Sequence, residues 1–257
     1  MRRYVNPDEA ARHYIDLDVY GDSALYKLPR YWSQAVEQYT EDTLKKYGIV
    51  PWHIQQVKYY LTRAFKNQDT RQVLRISADL GHYIGDAHVP LHTTENYNGQ
   101  LTGQYGIHGF WESRLPELFF DEYNLLTGRA EYLLNTQLTA WEAIANAHVA
   151  LDSVLMLEKQ LDKDWAHPKF AYEVRKGRTV RVFSMEYSKA YHDLLSGMVE
   201  RQMRRAIRTT GSFWYTCWVD AGQPDLNQFP APGDVNEDDL KPGHAADSSF
   251  REHESGG

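Results

Sequence analysis

The segment from Asp69 to Pro90 constrains the fold more than any other part of this 257-residue chain. Asp69 suits the cap of a helix, Gln72 stands three residues on for a capping-box contact, and Pro90 ends the helix. Val73, Ile76, Leu80, Ile84 and Ala87 recur at helical spacing as an apolar stripe. Arg75, Asp79, His82 and Asp86 recur as a second stripe on the other side. A helix with two such faces is packed on one side and looks into a polar site on the other. Gly81 and Gly85 lack side chains, so close approach of neighbouring helices is expected there.

Apolar spacing is helical along most of the remaining chain. A helix is expected from about Ser33 to Tyr47, capped by Ser33, with Lys45 and Lys46 in its last turn and Gly48 at its end. Pro51 suits the first turn of the next, which runs to about Lys66. Residues 93–107, rich in Gly, Asn and Thr, read as a loop, and a helix starts near His108. Leu138, Trp141, Ile144, His148, Leu151 and Leu155 mark a later helix. Leu195, Met198, Met203, Ile207, Trp214 and Trp218 mark another, and residues 178–182 form a short extended piece. From about Gln223 the chain turns to Pro, Gly and acids and reads as a disordered tail. The expectation is one all-α domain over residues 1–222 and an acidic tail over 223–257.

Aromatic residues make up 13% of the chain, too many for a disordered polymer. The net charge of -7 leaves no cationic excess to grip a polyanion, so such a substrate has to be held locally. The single cysteine, Cys217, excludes an internal disulfide and sits among aromatic residues as expected of core. No apolar run is long enough to cross a membrane, and Met1–Pro7 is not a signal peptide.

His82 and Asp86, four apart, project from one helical face and together suit a borderline divalent metal. Pro90 turns the chain so that His92 can swing back toward them. His108 and Glu112 repeat the spacing, and His13 adds another imidazole. A single His at helical spacing is usually structural, and one such pair can be a helix contact. Two pairs with His92 between them favour metal ligation. His53, His88, His148, His167 and His192 read as structural, and His244 and His253 as solvated tail.

The pattern His82-x3-Asp86-x5-His92, followed after a Gly/Asn loop by His108-x3-Glu112, resembles the zinc-binding core of the phospholipase C/P1 nuclease superfamily. His13-Tyr14-Ile15-Asp16 is similar to that family's earlier ligand segment, and the resemblance spans roughly residues 10–220. It implies a helical domain of that type with three Zn2+ ions. His13, His82 and Asp86 would bind the first, His92, His108 and Glu112 the second, and Asp86 would bridge to the third and be central to catalysis. It also implies hydrolysis of a phosphodiester by attack of metal-activated water. Asp16 and Asp79 are candidates to orient His13 and His82.

Members of that family begin with a Trp whose amino group and carbonyl hold the third zinc, followed by a His and an Asp that complete the sites. This sequence has no counterpart to them, which fits a start placed too far downstream. The chain as given is expected to hold the third metal weakly and to turn over poorly or not at all. Family members are exported, so a periplasmic or secreted location is expected by resemblance.

His88, two after Asp86, and Trp111, just before the acid, are similar to the nuclease branch, whereas Glu112 in place of Asp resembles the phospholipases. The first expectation is therefore an S1/P1-type nuclease on single-stranded nucleic acid, with Tyr97, Tyr105, Phe110 and Trp111 as candidates for base stacking. The alternative substrate is a phospholipid headgroup. A third reading is a truncated, non-catalytic zinc-binding protein.

Overall fold

A computed structural model describes residues 9–231. The helices are α1 (Ala24–Lys27), α2 (Trp32–Tyr39), α3 (Glu41–Tyr47), α4 (Val50–Lys66), α5 (Thr70–Asp86), α6 (Ile107–Gly109), α7 (Leu115–Phe119), α8 (Thr136–Asp164), α9 (Met185–Leu194) and α10 (Met198–Asp220). Strands β1 (Phe170–Arg175) and β2 (Arg178–Phe183) lie between α8 and α9.

Helix α5 forms where expected. The Asp69 carboxylate accepts a hydrogen bond from the Gln72 N–H at 3.0 Å, which satisfies one of the free amides of the first turn. Leu80 and Ile84 are fully buried, worth about 1.5–3 kcal/mol each. They join Leu61, Trp141, Ile144 and Phe213 in a core between α4, α5, α8 and α10. Since α4 and α10 both pack on α5, its last turn, with His82 and Asp86, has a fixed position. A second core beneath the other ligand segment gathers Ile107, Phe110, Leu115, Val154, Tyr187 and Tyr191.

Three expectations change. The helix drawn from Ser33 to Tyr47 is two, α2 and α3, broken at Thr40. There the backbone takes φ 66°, and the Thr40 hydroxyl caps α3 through the Thr43 N–H at 3.4 Å. A polar capping residue followed by Glu41 and Asp42 is a helix start, and it overrides the continuous apolar spacing. The domain is mostly helical, consistent with the all-α expectation, but the short extended piece at residues 178–182 does not stand alone and finds a partner strand. β1 and β2 pair antiparallel from Phe170–Phe183 to Arg175–Arg178, closed by Lys176 and Gly177, both at positive φ. The start of the expected tail, residues 223–231, packs on the domain: Trp218 donates to the Pro224 carbonyl at 2.9 Å, and Phe229 packs against Phe65. Residues 232–257, with His244 and His253, lie outside the described residues, as does the segment 1–8.

Cys217 is buried, and burial pushes its thiol up to about 11. Among the described residues no helix is long and apolar enough to cross a membrane.

The two glycines of α5 differ. A Cβ at Gly81 would lie 3.3 Å from Thr210 and 3.4 Å from Trp214 on α10, so the close approach is real there. A Cβ at Gly85 would meet nothing within 4 Å, so no helix closes on that position. Thermal unfolding should therefore find Gly85→Ala more stable by roughly 0.5–1 kcal/mol, the usual helical gain over glycine. Gly81→Ala should give no gain. Destabilisation at both positions would mean that α10 closes over Gly85 as well.

Candidate metal centre

Three chain segments converge on the end of α5. His82 and Asp86 come from its last turn. His92 stands on a single 3-10 turn, Pro90–Thr93, that folds back under the helix. His13 follows the turn Ala10–Arg12, and its strand-like continuation is tied down by Ile15 N–H donating to the His92 carbonyl at 2.9 Å.

His108 and Glu112 come from a fourth segment, the helical run α6, a π turn (Phe110–Arg114) and α7. The loop before it is largely buried, apart from Glu95, residues 101–103 and Tyr105, and is held mostly by its own side chains. Asn96 accepts from Leu101 N–H at 2.8 Å, Asn98 from Gly106 N–H at 3.1 Å, and Asp18 from the Thr94 hydroxyl at 2.7 Å. Gln104 donates to the buried Glu158 at 2.6 Å, which fastens the loop to α8. The Asn and Thr residues that marked this loop supply its internal hydrogen bonds.

Two donor sets result. In the first, His13 Nδ1 lies 2.8 Å from Asp86 Oδ2 and 3.1 Å from His82 Nε2, and His82 Nε2 lies 3.4 Å from the same oxygen. In the second, His92 Nε2 lies 2.9 Å from His108 Nε2 and 3.3 Å from Glu112 Oε2, and His108 Nε2 lies 2.7 Å from that oxygen. Each set of two imidazoles and a carboxylate can hold a metal ion.

The donor chemistry fits such an ion. Bonds of about 2.1 Å at tetrahedral angles place donors about 3.4 Å apart, and the separations here lie at or a little inside that spacing. Two ring nitrogens about 3 Å apart, both facing a carboxylate oxygen, need a shared proton or a cation between them. His92 has its other nitrogen occupied: Nδ1–H donates to the His13 carbonyl at 2.9 Å, which leaves Nε2 bare toward Glu112. The buried Nδ1 of His108 has no hydrogen-bond partner among the described residues.

The sets are coupled. His13 gives its ring to the first and its carbonyl to His92 in the second. Asp86 gives Oδ2 to the first, while its Oδ1 lies 3.5 Å from His92 Nδ1. Burial alone would push the protonated form of His13 down, but Asp86 and Glu9 outweigh it and raise the imidazole to about 9. Burial likewise opposes the charge on Glu112, and His92 and His108 overcome it, holding the carboxyl well below its usual range.

The other expected residues fall differently. Asp79 is half-buried, lies 4.0 Å from Arg75, and borders a cavity with Glu9 and Tyr83. Asp16 is buried, with its backbone N–H on the Tyr47 carbonyl at 2.8 Å. Phe110 is 1% exposed and stacked on Phe183, Tyr187 and Tyr191, so no base can stack on it. Trp111 is 3% exposed, and buried Tyr97 packs edge-on against His108. Of the four stacking candidates only Tyr105 stands open to solvent. His148 turns to the Thr93 hydroxyl at 3.0 Å, and His53, packed against Tyr83, is pulled down to about 4 by burial.

Sequence reading missed Glu9. Its carboxylate lies 3.6 Å from His13 Nε2, accepts from Tyr83 O–H at 2.7 Å and pairs with Arg12 at 2.7 Å. The His13 contact, with help from Tyr83 and Arg12, outweighs burial and holds Glu9 at about 2. Glu9 therefore sits behind His13 and directs Nδ1 at the donor set. The signal was available, since Glu9 and His13 are also four apart, with the acid first.

Comparison of the chain with protein families, curated proteins and solved structures found no match.

Since His13 is held protonated up to about 9 without metal, an incoming cation displaces its proton. Metal affinity should climb as pH rises from 7 toward 9, with a proton released per first-set ion in calorimetry across buffers of different ionisation heat. Glu9→Gln should reduce the proton release at pH 7, and above pH 9, where no proton competes, it should weaken that ion's binding by about 10-fold or more. Affinity independent of both pH and Glu9 would contradict the assignment of His13.

Proposed function

We propose that the chain is a zinc-dependent hydrolase of phosphate diesters. The observation that carries this reading is the pair of coupled donor sets, each with two imidazole nitrogens and one carboxylate oxygen. Nitrogen-rich sets of this composition suit zinc over magnesium or calcium, which prefer all-oxygen surroundings. The spacing of the same six residues, and its resemblance to the phospholipase C/P1 nuclease pattern, supports the reaction class.

Metal ions bound at such paired sites supply Lewis acidity toward a phosphoryl group and lower the pKa of water. The chain's own part is positional. Glu9 holds the His13 ring and the His13 carbonyl holds the His92 ring, so neither ligand has to reorganise. Asp86 fixes the spacing between the sets by facing both. No side-chain nucleophile is required, and Cys217 is remote from the task, buried and weakly acidic.

On substrate, the nucleic-acid reading keeps only Tyr105 of its four stacking candidates, and the chain's net charge of -7 does not help it. The phospholipid reading needs neither feature. The same resemblance supports a location outside the cytoplasm, which cell fractionation tests.

The decisive assay is hydrolysis of bis(p-nitrophenyl) phosphate by the zinc-loaded chain. A chelator should abolish it and zinc restore it. Glu112→Ala should lose one zinc per chain and about 100-fold or more in kcat/KM, a loss of several kcal/mol in stabilisation of the transition state. Unchanged activity would remove the second set from the mechanism. A chain that holds zinc yet cleaves no diester would be the non-catalytic zinc-binding protein instead.

A further inference from the structure

The turn Pro90–Thr93 delivers His92 to the second donor set, and it is held from three sides. From the His13 segment, Ile15 N–H donates to the His92 carbonyl and the His13 carbonyl accepts from the His92 ring, both at 2.9 Å. From the turn Leu17–Tyr20, the Asp18 carboxylate accepts from the Thr94 hydroxyl at 2.7 Å and from the Glu95 N–H at 3.0 Å. The third side is α8, which packs along the turn and reaches it with His148.

Thr93 is fully buried, and a buried hydroxyl is costly unless it is hydrogen-bonded. Its proton goes to the Pro90 carbonyl at 2.7 Å, which ties the last residue of the turn to the first across Leu91 and His92. With that proton committed, Thr93 Oγ1 can only accept from the His148 ring, whose Nδ1 lies at 3.0 Å. Nδ1 therefore carries a hydrogen. Burial lowers the imidazole below its ordinary range, against Asp18, Asp152 and a hydrogen bond to the Thr93 backbone. The neutral ring keeps the Nδ1 hydrogen that this contact uses.

Helix α8 is a firm base for it. Trp141 and Ile144, within two turns before His148, belong to the first core, and Leu151 and Val154, within two turns after it, belong to the second. His148 thus stands where α8 passes from one core to the other. Two apolar side chains at these positions would need no hydrogen bonds at all. The chain instead places a buried hydroxyl and a half-buried imidazole directly behind a metal-facing histidine.

We propose that His148 is a positioning residue for the second donor set: through Thr93 it locks the turn that aims His92 at His108 and Glu112. The metal at that set rests on the zinc reading, whereas the hydrogen-bonded chain from α8 to the turn does not. Contacts behind a metal ligand change affinity by about 10- to 100-fold, and His148 acts one bond farther back, so a loss near the lower bound, about 10-fold, is expected.

Cobalt binding, followed by visible absorption and calorimetry, tests this in two parent chains that each keep one set. His82→Ala leaves the second set whole, and Glu112→Ala leaves the first. Added His148→Leu should weaken cobalt by about 10-fold in the His82→Ala parent and leave the Glu112→Ala parent unchanged. His148→Asn puts an amide N–H the same number of bonds from the backbone as Nδ1 and should restore most of the affinity. Thr93→Val removes the hydroxyl at nearly constant shape and should match His148→Leu. The two together should lose no more than either alone, because they break the same chain of bonds. If His148→Leu does not fold, His148→Phe, which keeps a ring without the donor, takes its place. Equal loss in both parents, unchanged affinity in the His82→Ala parent, no rescue by Asn, or additive losses would each overturn the proposal. Parents that bind no cobalt would sink the zinc reading and the proposal with it, whereas cobalt bound by both and indifferent to His148 sinks the proposal alone.

Discussion

Six lone-pair donors crowd into two clusters at the end of one helix, and the rest of the structure serves to hold them there. Within each cluster two imidazole nitrogens and a carboxylate oxygen approach to about 3 Å. Donors in this arrangement repel unless a cation or shared protons lie among them. The protein accepts this because each side chain is fixed from behind. α5 is clamped between α4 and α10, Glu9 stands behind His13, and the His13 carbonyl stands behind His92. The convergence is therefore built in by packing, and metal binding needs no rearrangement to create it.

The second cluster is held from farther away. Glu158 is buried, and it is satisfied by Lys169 at 2.8 Å, Gln104 at 2.6 Å and Tyr187 O–H at 2.8 Å. These contacts tie the ligand loop, α8 and α9 to one carboxylate. A buried charge with one partner removed is strongly destabilising, so the loop that delivers His108 is bound to the core by more than its apolar contacts. The hairpin contributes through Phe183, whose ring is stacked at 3.8 Å on Phe110, the first residue of the π turn that carries Glu112.

Much of this was legible in the sequence, and the reasons for the exceptions are physical. The Asp69 cap, the Pro51 start and the two stripes of α5 follow from local rules, and α4 and α5 obey them. Four of the six candidate ligands, His82, Asp86, His108 and Glu112, were legible because a His and an acid four apart share a helical face wherever the helix sits. Spacing does not say what that face meets. Phe110 and Trp111 flank the ligands in sequence, yet a residue beside a site-facing position on a helix points elsewhere, here into the core. Thr40 broke a helix because a capping residue outweighs continuous periodicity. β1 was hidden because its partner strand and the turn between them decide whether it pairs. Glu9 went unread because the acid precedes the His.

The central claim is that these two clusters are zinc sites, and anomalous diffraction from zinc-soaked crystals at the zinc absorption edge tests it most directly. The account predicts two peaks per chain, one about 2.1 Å from His13 Nδ1 and His82 Nε2 and the other at the same distance from His92 Nε2 and His108 Nε2. Zinc found elsewhere, or none while the imidazoles stay in contact through shared protons, would contradict it.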